Sequence, residues 1–410
     1  MLRKLSIMLL VIAVFSIPSL VTAQGGTTIT VWFTGDEQQA ASLQVAADAW
    51  GEQTGNTAVI EAVSWSDAYA RALAAVSAGE GADILMGGMS WGISLGKIGG
   101  MVDLGATFPE EIAHIAEISN PGFYEAIVTP EGTVYGIPYN LDTYLMFYRP
   151  EALAAVGIDA VPTTWEELEA ALEAGARGGI GWGNASWLSF QNFLYQAGGR
   201  WYTDDCSAAA INSEEALTAL EFYTRLYEEY GFPAEDVSAA AAFSNDEMDI
   251  VIDGEWTAMG INSSYPELEG TWSVAALPAG PTGRNTAFIG GKMMGIFSFS
   301  PNVETAFDFM MFLSTEEAAE IQTAAYFDVN QIFVPPQPAF GQYIRGSEDI
   351  NAALQDQLDD AAGPPNCPGW EESNADANLV LQSVLFEGMD FEDALAEIED
   401  ILNAGIEDYG

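Results

Sequence analysis

The stretch TPEGTVYGIPYNLDTYLMFYRPEAL, residues 129–153, decides how the rest of the chain is organised. Its first four residues have turn chemistry, because proline fixes φ and glycine accepts a positive φ. The next five alternate like a hairpin strand, Pro138 is expected to stop the pairing, and residues 144–148 have the pattern of a strand buried on both faces. Arg149-Pro150 then opens a helix. A polar, aromatic segment between two strands suits a hinge beside a ligand, although a loop within one domain would have the same local pattern.

Residues 1–23 have the pattern of a secretory signal peptide. Arg3 and Lys4 precede an apolar segment, and small residues end it at Ala23. The apolar segment is short for a bilayer span and holds a proline and serines, which favours cleavage over a retained membrane anchor. The residue directly after Ala23 is Gln24 and not a cysteine, so no lipid anchor is expected. The mature protein is therefore predicted to be soluble, and periplasmic or extracellular.

The charge of the chain is strongly one-sided, with 60 acidic against 11 basic residues and a formal net charge of −49. Such a surface repels phosphate, which argues against nucleic acid and anionic lipid as partners. A saline environment would explain the charge, since salt screens the repulsion. A lineage with low lysine usage would explain it equally, and both explanations stay open. Beyond the leader, the only lysines are Lys97 and Lys292.

Two cysteines, Cys206 and Cys367, stand in loop-like contexts. In an exported chain they predict one disulfide. Two cysteines and a single histidine, His114, cannot supply a Cys/His metal set or most triad and zinc chemistry. We expect His114 to lie on a helix surface. No metal and no cofactor is therefore expected.

A glycosidase is the one enzyme class that the residues leave open. Glycoside hydrolysis needs two carboxylates, and Asp142 with Glu255 or Asp36 could supply them in an aromatic environment. Carboxylates are so abundant in this chain that such pairs arise easily by chance. The expected answer is therefore that the protein is not an enzyme.

The segment of residues 28–91 alternates strand, helix, strand, helix, strand, which predicts an α/β fold with a parallel sheet and crossover helices. Ligands gather at the carboxyl ends of such strands. Three predicted strand ends carry, in order, Asp36 with Glu37, Trp65, and Trp91. Aromatic rings beside short polar side chains suit a sugar, which has apolar faces and a hydroxyl rim. A polyamine or another cationic solute would also suit carboxylates beside rings.

Five motifs, taken in order, resemble the extracellular solute-binding proteins of family 1, the maltose-binding type that serves ABC sugar importers. The motifs are GADI at 81–84 with Trp91 and GMVDL at 100–104, YGIP at 135–138 through LMFY at 145–148, PTTWEEL at 162–168, MDIVIDGEW at 248–256, and ALP at 276–278 through GG at 290–291. They cover nearly the whole mature chain.

The resemblance implies a two-lobed periplasmic-binding fold of type II, with a mostly parallel sheet flanked by helices in each lobe and three interlobe crossings. By matching positions, residues 24–141 and 276–314 would form lobe I, and residues 142–275 and 315–410 would form lobe II. Cys206 and Cys367 then fall in one lobe, which agrees with their pairing.

The resemblance also implies a ligand site in the cleft between the lobes. Asp36, Asp142 and Trp256 match places where this family holds its sugar, and Trp65, Trp91 and Trp187 lie at similar places. The predicted ligand-binding residues are Asp36, Glu37, Trp65, Trp91, Asn140, Asp142, Trp187, Arg200, Trp256 and Gly290. The family's lysines near the first strand are unmatched, since Asp36-Glu37 stand there, and this argues against a phosphorylated ligand.

The implied function is that of the solute-binding component of an ABC importer. Such a protein would bind a small-molecule carbohydrate, close its lobes about a hinge, and deliver the sugar to the permease subunits in the membrane as a monomer. A polyamine binder of the same fold and a secreted glycosidase remain the alternatives.

Overall fold

The computed structural model describes residues 26–409, so the predicted signal peptide lies outside the described residues. The strands of this part of the chain are β1 (Thr28–Thr34), β2 (Thr57–Val63), β3 (Ile84–Gly88), β4 (Ile137–Tyr148), β5 (Gly178–Ile180), β6 (Ile250–Gly254), β7 (Ser273–Ala275), β8 (Ala287–Ile296) and β9 (Ala361–Ala362).

The helices surround these strands and make the fold α/β, as predicted. They are α1 (Glu37–Thr54), α2 (Trp65–Ala78), α3 (Trp91–Lys97), α4 (Leu104–Thr107), α5 (Pro109–Ile118), α6 (Pro121–Ala126), α7 (Pro150–Ala155), α8 (Trp165–Glu173), α9 (Trp187–Ala197), α10 (Glu214–Glu228), α11 (Ala239–Ser244), α12 (Thr257–Ser264), α13 (Val303–Leu313), α14 (Glu316–Asp328), α15 (Glu348–Leu358), α16 (Trp370–Glu387) and α17 (Phe391–Tyr409). Short 3₁₀ helices lie at Pro266–Leu268 and Pro338–Tyr343. His114 is exposed on α5, as expected.

One mixed sheet of nine strands runs through the molecule in the order β2-β1-β3-β8-β4-β6-β5, with β7 beside β4 and β9 beside β8. The outer strands pair in parallel, β1 with β2 and β3 and β5 with β6. The central strands β8 and β4 are antiparallel to each other and to their other main neighbours, β3 and β6. Each half of the sheet is therefore mixed, where the sequence predicted mostly parallel pairing.

The central stretch of the sequence is one continuous strand, which corrects the predicted stop at Pro138. β4 has 12 residues and begins at Ile137. Pro138 pairs with Met293, and the register shifts between Pro138 and Asn140. Proline has no N–H for the ladder, and a bulge absorbs that loss without ending the strand. The first half of β4 pairs with β8 and the second half with β6, so this strand joins the two halves of the sheet.

The second connection between the halves lies within β8. Ala287 and Phe288 pack in one apolar cluster with Tyr144, whereas Met294 and Ile296 pack in another. Residues near 277 also belong to the first cluster. The packing therefore changes inside β8, about a dozen residues beyond the lobe bound between residues 275 and 276 that the resemblance implies.

Helix α14 packs on α1 in the first half of the molecule. Ser42 Oγ donates to Ala325 O at 3.2 Å, and Gln53 Nε2 donates to Glu317 Oε1 at 2.9 Å. Residue Tyr326 of α14 lies in the apolar cluster of Met294 and Ile296. The chain therefore returns to the second half after α14, where α15 packs against β7 and β4.

The predicted disulfide is confirmed. Cys206 and Cys367 are bonded, with a Cα–Cα distance of 5.4 Å and a sequence separation of 161 residues. Both cysteines lie in the apolar cluster of Tyr144 and Phe288. The bond therefore links the loop before α10 to the loop before α16 within one half of the molecule.

Candidate functional site

The paired strands β4 and β8 carry a polar strip on one face. Asn140 lies opposite Lys292, and Asp142 lies opposite Gly290. Directly opposed residues, and residues two apart on one strand, share a face of the sheet. Asn140 Nδ2 donates to Asp142 Oδ1 at 2.8 Å, which ties the two β4 side chains together. The strip crosses the place where the two halves of the sheet meet.

Lys292 is buried at one end of this strip, with 3% of its surface exposed. Its Nζ lies 5.2 Å from the ring centroid of Phe33 and 5.5 Å from that of Trp65. Burial lowers the pKa of the ammonium, and the charges of Asp142, Glu255 and, more weakly, Asp36 oppose that effect. Lys292 is the functional residue that sequence reasoning missed. Its rarity, as one of two lysines beyond the leader and the only one inside an apolar strand, was the available signal.

Glu255 follows β6 directly and is fully buried. Its Oε2 accepts a hydrogen bond from Thr143 N at 2.8 Å. Burial and the charge of Asp142 raise the pKa of Glu255 well above its ordinary value. Burial also raises the pKa of Asp142, opposed by Lys292 and by the bond from Asn140. The two carboxyls therefore oppose each other's ionisation, and the charge of Lys292 favours the ionised form of Asp142.

Aromatic rings flank the polar strip on the side of the first half. Trp65 and Trp91 meet edge to face with ring centroids 5.7 Å apart, and Tyr69 packs on Trp91 at 5.3 Å. Trp65 is 49% exposed, which is unusual for an indole and leaves a ring face free. The predicted residues Trp65 and Trp91 are thus brought together beside Lys292.

A second group of rings flanks the strip on the side of the second half. Trp182 lies between Trp256 at 4.7 Å and Phe288 at 5.4 Å, and Trp187 meets Phe288 at 6.0 Å. Gly290 makes room for this group, since a Cβ there would lie 2.6 Å from Phe288 and 3.1 Å from Trp182. The predicted residues Trp187, Trp256 and Gly290 therefore belong to one aromatic wall.

Two hydrogen bonds join the opposite sides of this cleft. Ser90 Oγ, just before α3, donates to Glu371 Oε1, and Tyr69 OH on α2 donates to Glu372 Oε1 at 3.1 Å. Both glutamates stand in the first turn of α16. Burial raises the pKa of Glu371 to about 7, which the bond from Ser90 opposes and the charge of Glu372 reinforces. These two contacts join α2 and the start of α3 to α16, and the carboxyl of Glu371 is buried where they form.

Asp36 and Glu37 lie at the edge of the site and are exposed. Asp36 caps α1, where its Oδ1 accepts from Gln39 N at 2.8 Å, and its Oδ2 accepts from Gln331 Nε2 at 3.3 Å. Glu37 follows in the first turn of that helix, where a negative charge is favourable. The charge of Asp36 raises the pKa of Lys292 slightly, which is its one link to the polar strip among the described residues. Glu37 has no such effect on Lys292.

Arg200 lies apart from the other predicted residues. Trp187 begins α9 and Arg200 follows its end, so the 11 residues of the helix separate them by about 16 Å. Arg200 pairs with Asp204 and lines a separate cavity of about 490 Å³ near the disulfide. The prediction that Arg200 joins the ligand site is therefore not supported by the geometry, because a helix intervenes between two segments that look adjacent in sequence.

Within residues 26–409, no group of three or more His, Cys, Asp or Glu side chains is arranged to hold a metal ion. Every helix in this same range is too short or too polar to cross a membrane. What the arrangement can do is hold a small molecule between two aromatic walls, over a strip that has one cation, one carboxylate and one amide.

Comparison with known proteins identifies relatives over most of the chain. A curated binding protein of Brucella abortus (strain 2308) is 26% identical over 352 residues, which are 81% of this chain and 82% of that one. The maltodextrin-binding protein of Bacillus subtilis (strain 168) is 25% identical over 266 residues, 60% of each chain. The solved structure of a sugar-binding protein from Xanthomonas citri superposes with a TM-score of 0.81 at 21% identity, over 93% of this chain and 98% of that one.

The fold is accordingly the two-lobed α/β fold of solute-binding proteins. The family model described as "bacterial extracellular solute-binding protein" matches residues 34–320, from the end of β1 into α14. That range includes both aromatic walls and the whole polar strip but not α16, and the chain therefore belongs to the family of bacterial extracellular solute-binding proteins.

Proposed function

We propose that this protein binds a neutral carbohydrate between its two lobes and delivers it to the permease of an ABC importer. The observation that carries the proposal is the polar strip of Asn140, Asp142 and Lys292 between two tryptophan walls. A pyranose presents apolar faces to aromatic rings and hydroxyls to charged and amide groups. Relatives of the chain are named for binding maltodextrin and sugar, which supports the same ligand class.

The alternative ligand class, a polyamine, is disfavoured by the position of Lys292. A cationic ligand would need the free face of Trp65 and the charge of Asp142. The Lys292 ammonium already lies 5.5 Å from that ring and offsets that carboxylate. A neutral ligand avoids the repulsion.

The glycosidase alternative has less support than binding. The family and the structural relatives are binding proteins. Asp142 and Glu255 do lie close enough to influence each other's ionisation, so a direct test is worthwhile. Incubation with maltotriose and lactose, followed by chromatography of the products, should show no cleavage beyond the uncatalysed rate. Hydrolysis that Asp142→Asn abolishes would replace binding by catalysis.

Within this proposal, lobe I comprises residues 26–143 and 289–343, and lobe II comprises residues 144–288 and 344–409. The predicted bound at 141/142 moves by only two residues, to 143/144. The bound at 275/276 moves to 288/289, and the bound at 314/315 moves to 343/344. The reasons are the packing of Phe288 beside Tyr144, and the bond from Tyr343 OH to Glu316 Oε1 at 2.7 Å that ties the 3₁₀ helix to α14. Hinge closure would then bend β4 and β8 where they cross between lobes.

The remaining parts of the proposal concern where the protein works. It would be secreted by means of residues 1–23, lose that leader, remain free of a lipid anchor, act as a monomer and meet the permease with both lobe surfaces. The family description as extracellular supports the compartment.

The proposed ligand class is tested by thermal unfolding and calorimetry with the mature chain. A panel of maltose, maltotriose, lactose and raffinose, with spermidine as the cationic comparison, covers the two ligand classes. A bound ligand at about 100 times its dissociation constant adds about 2.7 kcal/mol to stability. We expect at least one sugar to raise the melting temperature and spermidine to leave it unchanged; the opposite pattern would reject the carbohydrate assignment.

A further inference from the structure

We infer that Lys292 and Asn140 form a hydroxyl-binding subsite at the centre of the cleft, which accepts a neutral hydroxylated ligand and rejects a cationic one. This inference rests on the proposed function and assigns its selectivity to two residues.

Within residues 26–409, the Lys292 ammonium has no hydrogen-bond or ion-pair partner. None of the ion pairs or side-chain hydrogen bonds of this part of the chain includes its Nζ, although 97% of the residue surface is covered, with 3% exposed. Nearby acidic groups act on it only through their charge. A buried ammonium is unfavourable unless it donates hydrogen bonds. A ligand oxygen in the cleft is the partner that this position lacks.

Asn140 supplies the complementary acceptor directly opposite Lys292. Its Nδ2 donates to Asp142 Oδ1 at 2.8 Å, so the amide nitrogen faces Asp142. The other end, Oδ1, is buried without a donor, and Asn140 is 4% exposed. A free donor and a free acceptor on opposed residues match one hydroxyl group, which accepts one hydrogen bond and donates another.

A cationic ligand cannot satisfy this pair. An ammonium group has no lone pair to offer Lys292. The rings of Phe33 and Trp65, which would attract a cation, already have the Lys292 Nζ within 5.5 Å of their centroids. The acidic groups that act on Lys292 through their charge are Asp142, Glu255 and Asp36. A second cation at these rings would therefore be repelled by Lys292.

The first test replaces the ammonium. Lys292→Met removes the donor and charge at similar length, and Lys292→Gln keeps a neutral donor. Lys97→Met is the matched control because Lys97 is the other lysine of the mature chain and pairs with Glu131 at 3.9 Å instead of lying on β8. Affinities are measured by calorimetry for whichever panel sugar binds the wild type, and for spermidine. Loss of a charge-assisted hydrogen bond should weaken sugar binding roughly tenfold to a hundredfold in Lys292→Met. The sugar affinity of Lys292→Gln should lie between those of the wild type and Lys292→Met, and that of Lys97→Met should match the wild type. Spermidine binding should become measurable in Lys292→Met.

The second test uses the wild-type chain and so does not depend on the variants folding. Brief acetylation with an N-hydroxysuccinimide ester, read by mass spectrometry, reports Lys292 and Lys97 separately. Saturating sugar should slow labelling of Lys292 at least tenfold and leave Lys97 unchanged, whereas spermidine at the same concentration should protect neither.

The outcomes separate this inference from the proposed function. If no sugar binds the wild type, the proposed function fails and the subsite fails with it. If a sugar binds and folded Lys292→Met binds it as tightly, or if sugar leaves the labelling of Lys292 unchanged, the subsite is refuted while carbohydrate binding stands.

Discussion

Replacing Glu371 by glutamine should remove most of the pH dependence of ligand binding. Glu371 stands at the start of α16 in lobe II, and its carboxyl accepts a hydrogen bond from Ser90 Oγ in lobe I. Burial in this contact is the main reason that its pKa is raised to about 7. In an open form of the protein, water would reach the carboxyl, and its pKa would return toward the ordinary value of 4.5. Closure is therefore coupled to the uptake of a proton.

The size of this coupling follows from the two pKa values. A tenfold change in proton affinity corresponds to about 1.4 kcal/mol, so a rise from 4.5 to about 7 means that the closed form prefers the neutral carboxyl by about 3 kcal/mol. The folded, closed state has the raised pKa, so its advantage is complete below pH 4.5 and is lost as the pH rises through 7. Affinity that depends on closure should be roughly 50-fold weaker at pH 8 than at pH 5.

The assay is calorimetry at pH 5, 6, 7 and 8 at constant ionic strength, with the sugar that binds the wild type. Glu371→Gln keeps the acceptor for Ser90 and cannot ionise, so its affinity should change little over this range and exceed that of the wild type at pH 8. Glu387→Gln, at the exposed end of the same helix, is the control and should follow the wild type. Equal slopes in the wild type and Glu371→Gln, or a wild-type affinity that grows with pH, would refute the coupling.

Three further predictions test the site and the fold. Asp142→Asn should weaken sugar binding at least tenfold while the melting temperature changes by only a few degrees, and wild-type affinity in calorimetry would show that the polar strip is not the site. Trp187→Ala should weaken binding by about 1 to 2 kcal/mol through the lost ring contact, whereas Arg200→Ala, at the other end of α9, should bind as the wild type does; equal losses in the two variants would contradict the geometry. Cys206→Ser with Cys367→Ser should lower the free energy of unfolding in urea by about 2 to 5 kcal/mol and leave affinity unchanged, and an unchanged midpoint would show that the bond contributes nothing.

Local sequence patterns were sufficient where the physics is local. Turn and strand chemistry located β1 to β3 and the helices between them, and the count of two cysteines in an exported chain was enough to predict their bond. Four tryptophans of the two walls, Trp65, Trp91, Trp187 and Trp256, were predicted from aromatic residues beside polar turns and from the family resemblance, whereas Trp182, between Trp256 and Phe288, was not among the predicted residues. Which of these rings face one another depended on strands that meet only in the folded chain.

Pro138 and Arg200 show where local patterns mislead. Proline normally ends a central strand, yet β4 continues through it because β8, about 150 residues later in the chain, accommodates a bulge. Arg200 follows a glycine-rich, aromatic segment that looks like a site, but the intervening helix carries it to another cavity. Neither outcome can be read from the residues nearby, because a distant partner strand and a helix length determine it.

The amino-acid sequence by itself determined the α/β class, the disulfide and the aromatic character of the site, since each depends on residue type and local spacing. Only the tertiary structure decided that β4 pairs first with β8 and then with β6, and that the register of β4 and β8 sets Lys292 opposite Asn140 and Gly290 opposite Asp142. Register is a property of two strands together, and a shift of one residue would turn every side chain of the strip to the other face. For that reason the position of Lys292 in the site could be recognised only in the folded chain. Lys292 lies on β8, whereas the family's lysines lie near the first strand.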